Sequence, residues 1–358
     1  MKALSKLRDI LRLSVNRRKY DFANPVPAQS LNYREITSIV ISKIDGKLGD
    51  TQVISPFFAA LKRDCPWIKL AVLTSSALAP FYRDFLKADL VLELPKRPAA
   101  AEIDAAVAKI GKCDLLVTLE AYFRFHDFYL IHKLRPTYVA GINPDVKSIN
   151  IKLQNLDGHI TGYFSYLLEL GGVKDACQAY TLMAAEEGLA RAKEFCKPGQ
   201  IMLCPWGASK HKHLKDATII ACAKAITELT GAPLALMVPP DGTYLHELLA
   251  KNIAPERLVR LPRLSILDLP AIAACSNAAV SVDTAYVHLA CAAKIRLFAI
   301  YNGNNQRLSA LWAPLPGKED AKTYAKPNRM IDELEFTDFR EPLSAFLEQI
   351  SAKEMGHA

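Results

Sequence analysis

Residues 36–56 read ITSIVISKIDGKLGDTQVISP, and the rest of the chain is arranged around this stretch. Val40 and Ile41 lie in an apolar run of strand composition; Gly46 and Gly49 mark a short loop; Asp50 follows, and then an apolar helical pattern. That order predicts strand, tight loop and helix at the start of an α/β domain, whose ligands meet the carboxyl ends of the strands. Asp50 is expected at the opening of the helix, with its carboxylate close to free backbone N–H groups. Two roles suit it there: a cap for the helix, or a base that removes a proton from a hydroxyl.

The chain has 358 residues, 51% of them hydrophobic, enough for a sizeable core and for two domains. No apolar run is long enough to cross a bilayer, and the basic N-terminus lacks the apolar stretch of a secretion signal, so a cytoplasmic location is expected. The eight cysteines are scattered, mostly within apolar segments such as those of Cys204, Cys222, Cys275 and Cys291, a pattern of buried thiols. The formal charge of +8 favours anionic partners. No nucleic-acid-binding module is visible, and nucleic acid is not an expected partner.

From residue 36 onward, strand-like and helix-like segments alternate. Strands are predicted over 69–74, 90–94, 115–119 and 138–142, with helices over 57–63, 79–86, 99–110 and 159–170. After a helix over 184–195 the alternation restarts. Strands are predicted over 201–204, 234–238, 258–261, 278–282 and 295–301, with helices over 216–229, 244–251 and 267–275 and another beginning near Tyr286. This is the pattern of two α/β domains with mainly parallel sheets, at 36–180 and 181–330. Such a pair binds ligands in the cleft between its halves.

Before them, residues 1–35 form a basic extension. Lys2, Lys6, Arg8, Arg12, Arg17, Arg18 and Lys19 stand against Asp9 alone, and Leu4, Leu7, Ile10 and Leu11 recur at helical spacing. This amphipathic pattern suits either an anionic membrane surface or packing on its own domain. Residues 24–30, with Pro25 and Pro27, read as a linker. The tail 331–358 carries Phe336, Phe339, Leu343, Phe346 and Leu347 at helical spacing and is expected to pack.

Three loops that follow predicted strands carry chemistry. In the first, Lys43 and Lys47 flank a glycine turn beside Asp50 and suit an anionic acceptor; solvated surface lysines are the plainer alternative. The second, Pro205–His213, combines Gly207, Ser209 and four cationic or potentially cationic side chains. It suits a pyrophosphate whose growing charge needs compensation, with Lys212 sufficient for that task. The spacing of His211 and His213 does not by itself make a metal site. In the third, Thr284 and the amides after it suit phosphate oxygens at a helix start, and Asp283 suits the loop itself or a donor sugar hydroxyl. His288 suits the phosphate side or an internal packing role, and Gly303 offers a close approach of backbone to ligand.

Taken in order, the loops resemble glycosyltransferase family 9, the ADP-heptose:lipopolysaccharide heptosyltransferases. Leu48-Gly49-Asp50, then Ser55-Pro56 and Ala60-Leu61-Lys62 before Cys65-Pro66, resembles the family's N-terminal signature. Asp283-Thr284 with His288-Leu289-Ala290 resembles its D-[ST]-G-x-x-H-L-A signature, and Pro205, Gly207-Ala208-Ser209 and Lys212 its middle one. The resemblance implies a GT-B fold, two Rossmann-like domains facing across a cleft, with a last helix that crosses back to the N-terminal domain. It implies metal-independent, inverting heptose transfer from ADP-heptose to the inner core of lipopolysaccharide, without a cofactor, at the cytoplasmic face of the inner membrane.

On this resemblance Asp50 is the general base, while Lys212 and Ser209 face the leaving diphosphate. Asp283, Thr284, Ala285 and His288 lie at the donor, and Lys43, Lys47, Lys62 and Arg124 face the anionic acceptor. Ala285 stands where the family has glycine, Leu214 where it has tryptophan, and the extension before residue 36 has no counterpart there. Transfer of a different nucleotide-linked hexose and an inactive sugar-nucleotide-binding homologue are the alternative readings.

Overall fold

The computed structural model describes residues 13–153, 158–174, 179–239, 242–315 and 317–355. The amphipathic pattern at Leu4, Leu7, Ile10 and Leu11 lies outside them. The chain divides into two units. The first holds residues up to Lys47 with 54–157 and 161–177; the second holds Leu48–Val53, Gly158–Ile160 and everything from residue 178 onward.

The first unit is built on β1 (Ser38–Lys43), all six of whose residues are buried. A strand covered on both faces has no use for polar alternation, hence the apolar run 39–41 at its centre. β2 (Lys69–Thr74), β3 (Leu90–Glu93), β4 (Leu115–Thr118), β5 (Tyr138–Gly141) and β6 (Ile151–Lys152) join it in a parallel sheet of order β3-β2-β1-β4-β5-β6. The chain builds outward from β1 to β3, then returns to place β4 on the other side of β1. That reversal opens a crevice at the carboxyl ends of β1 and β4.

Residues 13–20 form α1, and α2 is Leu48–Val53. α3 (Ser55–Asp64), α4 (Ala100–Ile110), α5 (Phe125–Leu134) and α6 (Thr161–Leu170) complete the helices of this part of the chain, with a π turn at Phe81–Phe85. One apolar core joins Val40, Leu73 and Leu116 to Ile103 and Ala106 of α4 and to Phe128 and Ile131 of α5. At the opposite, amino edge, the Asp114 carboxylate accepts from the backbone N–H groups of Thr37 (2.8 Å) and Ser38 (3.0 Å), tying the start of β1 to β4.

Residues 24–30, expected as a linker, are bound to this unit instead. Asn24 donates to the Thr137 carbonyl (3.1 Å), and Asn150 donates to the Val26 carbonyl (2.9 Å). Pro27 is extended and leads into a 3-10 turn at Ala28–Ser30, and the asparagine side chains supply hydrogen bonds in place of a ladder.

The second unit repeats the plan. β7 (Ile201–Cys204), β8 (Leu234–Leu236), β9 (Leu258–Val259), β10 (Ala278–Val282), β11 (Arg296–Ile300) and β12 (Ala321–Tyr324) form a parallel sheet of order β12-β11-β10-β7-β8-β9. Counted from β7, this is the strand order of the first sheet, with the reversal between β7 and β10. Its helices are α7 (Glu186–Phe195), α8 (Asp216–Thr230), α9 (Tyr244–Ala250), α10 (Leu269–Ala274), α11 (Ala285–Ala292), α12 (Gln306–Leu311) and α13 (Phe336–Met355).

Phe339, Leu343, Phe346, Leu347 and Ile350 of α13 enter the core formed by Leu203, Val280, Phe298 and Ile219. Each buried side chain of this kind contributes roughly 1.5–3 kcal/mol. The apolar face of the tail is therefore used in the core of the second unit. No helix among the described residues is long and apolar enough to cross a membrane.

Candidate functional site

In the first unit the crevice receives Lys43, the last residue of β1, and the loop after β4. Lys43 is buried and Lys47 exposed, yet both ammonium groups reach the same carboxylate: Asp45 Oδ1 lies 2.7 Å from Lys43 Nζ and Oδ2 2.9 Å from Lys47 Nζ. Burial pushes the Asp45 carboxyl up, but the two lysines outweigh it and hold it below the usual range. Burial also raises Glu120, on the loop after β4, against the pull of Lys43.

Arg124 precedes α5 and stays exposed, while its N–H donates to Asp127 (2.7 Å). Burial raises the Asp127 carboxyl to about 6. Lys62 lies elsewhere. Its Nζ bonds both Asp89 oxygens (2.7 and 2.8 Å), and Asp89 also accepts from Leu70 N–H, at the start of β2. A helix that follows a parallel strand runs back along the sheet, so the end of α3 reaches the amino edge. Lys62 thus stands away from the crevice into which sequence reasoning put it. Asp45 and Glu120 are the charged residues that this reasoning missed; Asp45 was hidden because only the fold shows one carboxylate serving two lysines.

In the second unit, the loops after β7 and β10 meet at the reversal. Lys212 Nζ lies 2.6 Å from Asp283 Oδ2, so the two candidate loops are joined by an ion pair. The β7 loop folds on itself: Gly207 N–H donates to the Lys212 carbonyl (2.8 Å), Lys212 N–H to the Ser209 carbonyl (2.8 Å), and the His213 ring meets the Gly207 carbonyl (3.0 Å). A methyl group at Gly207 would stand 2.7 Å from Lys212 Cβ and 3.0 Å from the Asp283 carbonyl, so glycine is what lets this loop close.

Ser209 is exposed at the loop's turn, and His211 is held by Asp332 (3.0 Å). Leu214 is buried in the core. Thr284 caps α11, its hydroxyl accepting from Tyr286 N–H (3.0 Å), which takes up one of the amides expected to face phosphate.

Trp206 stacks on His213 with ring centroids 4.4 Å apart and planes 3° from parallel, and its indole N–H is buried without a partner. It walls a cleft of about 820 Å³, whose lining also includes Val238, Pro239, Thr243, Arg263, Thr284 and Ala285. This volume and mainly apolar lining suit a ring system with a polar tail. In sequence Trp206 stands beside a run of cationic residues, and only the fold turns its ring toward the cleft.

Asp50 belongs to this same unit. It lies in the first turn of α2, inside the helix rather than at its cap, and is half-exposed. α2 packs on α11 through Gly49: a methyl there would meet Ala285 Cα and His288 Cδ2, each at 3.2 Å. Helix α11 and the carboxylate-bearing helix α2 are therefore in direct contact. Gln52 of α2 also donates to the Thr181 carbonyl (2.7 Å).

His288 is enclosed beneath this contact, with the Tyr180 and Trp312 rings 5.9 and 6.1 Å away. Burial, with the charges of His159 and Lys212, lowers its pKa to about 3, so it stays neutral. Gly303 serves packing: a methyl there would fall 1.8 Å from the Lys326 carbonyl, and the backbone, not a ligand, occupies that space.

No family model matches the chain, and no curated protein matches it in sequence. Solved structures do match its fold. A glycosyl transferase family 9 protein from Veillonella parvula DSM 2008 superposes with TM-score 0.71 at 15% identity, over 89% of this chain and 98% of its own. E. coli ADP-heptose lps heptosyltransferase II gives 0.65 at 14% identity, over 87% and 98%. E. coli heptosyltransferase WaaC with ADP gives 0.64 at 15% identity, over 86% and 99%. The chain has the two-unit α/β fold of these GT-B proteins and resembles glycosyltransferase family 9 along most of its length.

Proposed function

We propose that this protein is an inverting glycosyltransferase that moves heptose from ADP-heptose to the inner core of lipopolysaccharide at the cytoplasmic face of the membrane. The observation that carries this reading is the seating of α2 on α11, which brings the Asp50 helix against the loop pair held by Lys212 and Asp283. The base of the nucleotide enters the cleft beside Trp206, and its diphosphate lies toward Lys212, Ser209 and the start of α11. Lys212 then exchanges Asp283 for phosphate oxygens. Asp283, released from the pair, is an acceptor for a donor sugar hydroxyl.

The Asp50 carboxylate accepts the acceptor's hydroxyl proton as that oxygen attacks the anomeric carbon from the face opposite the diphosphate. The carbon–oxygen bond to the diphosphate breaks, and its electron pair leaves with the nucleotide. Negative charge grows on the diphosphate as the bond lengthens, so a preorganised ammonium favours the transition state more than the bound donor. Lys212 supplies that charge without a metal in this scheme.

The decisive experiment is transfer by Asp50→Asn, which keeps the shape and removes the base. Turnover is expected to fall by roughly a thousandfold with donor binding unchanged; near-normal turnover would reject Asp50 as base. Activity in a strong chelator tests metal independence. Melting shifts with ADP-heptose, ADP-glucose and UDP-hexoses identify the donor, since a ligand of the folded state raises its stability. A larger shift with a UDP-hexose would replace the heptose reading by transfer of another hexose. No shift with any of them, together with no transfer, would favour the inactive homologue.

A further inference from the structure

Residues 13–22 play no part in the scheme above, yet they are tied to the first unit. Leu13 and Tyr20 of α1 pack on the first unit's core, and the Tyr20 ring lies 5.2–6.0 Å from those of Phe125, Tyr129 and His132. Asp21 is buried and accepts from the N–H groups of Lys147 (3.0 Å) and Ser148 (2.9 Å). These contacts fix one face of the segment and leave the other open. On the open side stand Val15, 60% exposed, with the exposed Arg18 and Lys19, the Lys19 Nζ lying 5.1 Å over the Tyr20 ring; Phe22, 59% exposed, borders it just past the helix, its ring 6.1 Å from that of His132.

Phe22 borders a groove of about 490 Å³ that also carries the exposed Arg135 at the end of α5. Nearby carboxylates are engaged, Asp145 with Arg17 (3.6 Å) and Asp104 with Lys133 (2.9 Å), so they do not cancel these cations.

We propose that this open side, formed by Val15, Arg18, Lys19, Phe22 and Arg135, is a docking surface for an anionic phospholipid bilayer. The pairing of chemistries selects the partner. Guanidinium and ammonium groups meet headgroup phosphates, while Val15 and Phe22 enter the acyl boundary just below. A polyanion such as RNA would satisfy the cations but offers an aliphatic valine nothing to bury against.

The test is sedimentation of the full-length protein with phosphatidylglycerol–phosphatidylcholine vesicles and with phosphatidylcholine alone. Wild type is expected to bind only the anionic vesicles, with affinity falling as salt rises. Both Arg18→Glu/Lys19→Glu and Val15→Ser/Phe22→Ser are expected to weaken binding by roughly tenfold or more. Lys251→Glu, an exposed change in the second unit, is expected to leave it unchanged. All these side chains are exposed, and unchanged melting temperatures verify the fold. Wild-type binding by either double variant, or equal binding to neutral vesicles, overturns the proposal. So does short RNA that competes off the vesicles and binds with no loss in Val15→Ser/Phe22→Ser.

Discussion

The two sheets share one strand order, and each opens a crevice where that order reverses, but the crevices are equipped differently. In the first, Lys43 and Lys47 share Asp45, a carboxylate from their own loop, so each finds its counter-charge within two residues of sequence. In the second, Lys212 is balanced by Asp283, a residue from another strand end 71 positions away, beside a cleft of about 820 Å³. A local pair is a permanent part of the scaffold. A pair formed between two loops beside a cleft is one that a ligand can divide. On the proposed reading, the same backbone plan yields a structural cation in one unit and an exchangeable one in the other.

Lys212→Met tests that distinction most severely. It is expected to lower turnover by about a hundredfold to a thousandfold, with little loss of stability, because the ammonium acts on the departing diphosphate. Wild-type turnover in this variant would erase the contrast.

Lys43→Met is the reciprocal test. It removes a buried partner of the half-buried Asp45 and is expected to cost about 3 kcal/mol in denaturant unfolding, while Lys47→Ala, at an exposed position, stays within about 0.5 kcal/mol. Equal costs would show that Asp45 does not depend on the buried lysine.

His288 sharpens the comparison through pH. Its folded pKa of about 3 lies below the ordinary value of 6.5, so the unfolded chain takes up a proton that the folded one refuses. This contribution is full above pH 6.5 and is lost as pH falls from there toward 3, amounting to about 2 kcal/mol by pH 5. Unfolding titrations of His288→Gln are expected to lack that part of the acid slope.

Trp206→Ala is expected to have the smallest effect, about a tenfold loss of donor affinity by calorimetry with turnover at saturating donor retained. A loss confined to turnover would move the nucleotide out of this cleft.

Most of the scaffold was legible before any coordinates. The predicted strands 69–74, 201–204 and 278–282 coincide with β2, β7 and β10, because strands buried on both faces carry continuous apolar runs bounded by polar turns. What escaped were two edge strands and two helices, α5 and α12. β6 and β12 border their sheets, and an edge strand needs little apolar character; β12 reads AKTY. α5 reads FHDFYLIHKL, full of aromatic and histidine residues with weak helix preference, and is held by packing instead.

Of the site, the sequence by itself determined the loops: the residue types at 205–213 and 283–288 and the aspartate after Gly49 announce their chemistry through local order. The tertiary structure alone decided which of these side chains meet. That Gly49, beside Asp50, packs on Ala285 and His288, that Lys62 is spent on Asp89, and that Lys43 is paired with Asp45 are facts about residues far apart in the chain or turned by the backbone. Charge and shape at one position are written in that residue, but the partner that satisfies a charge is chosen by packing, and packing is a property of the whole fold.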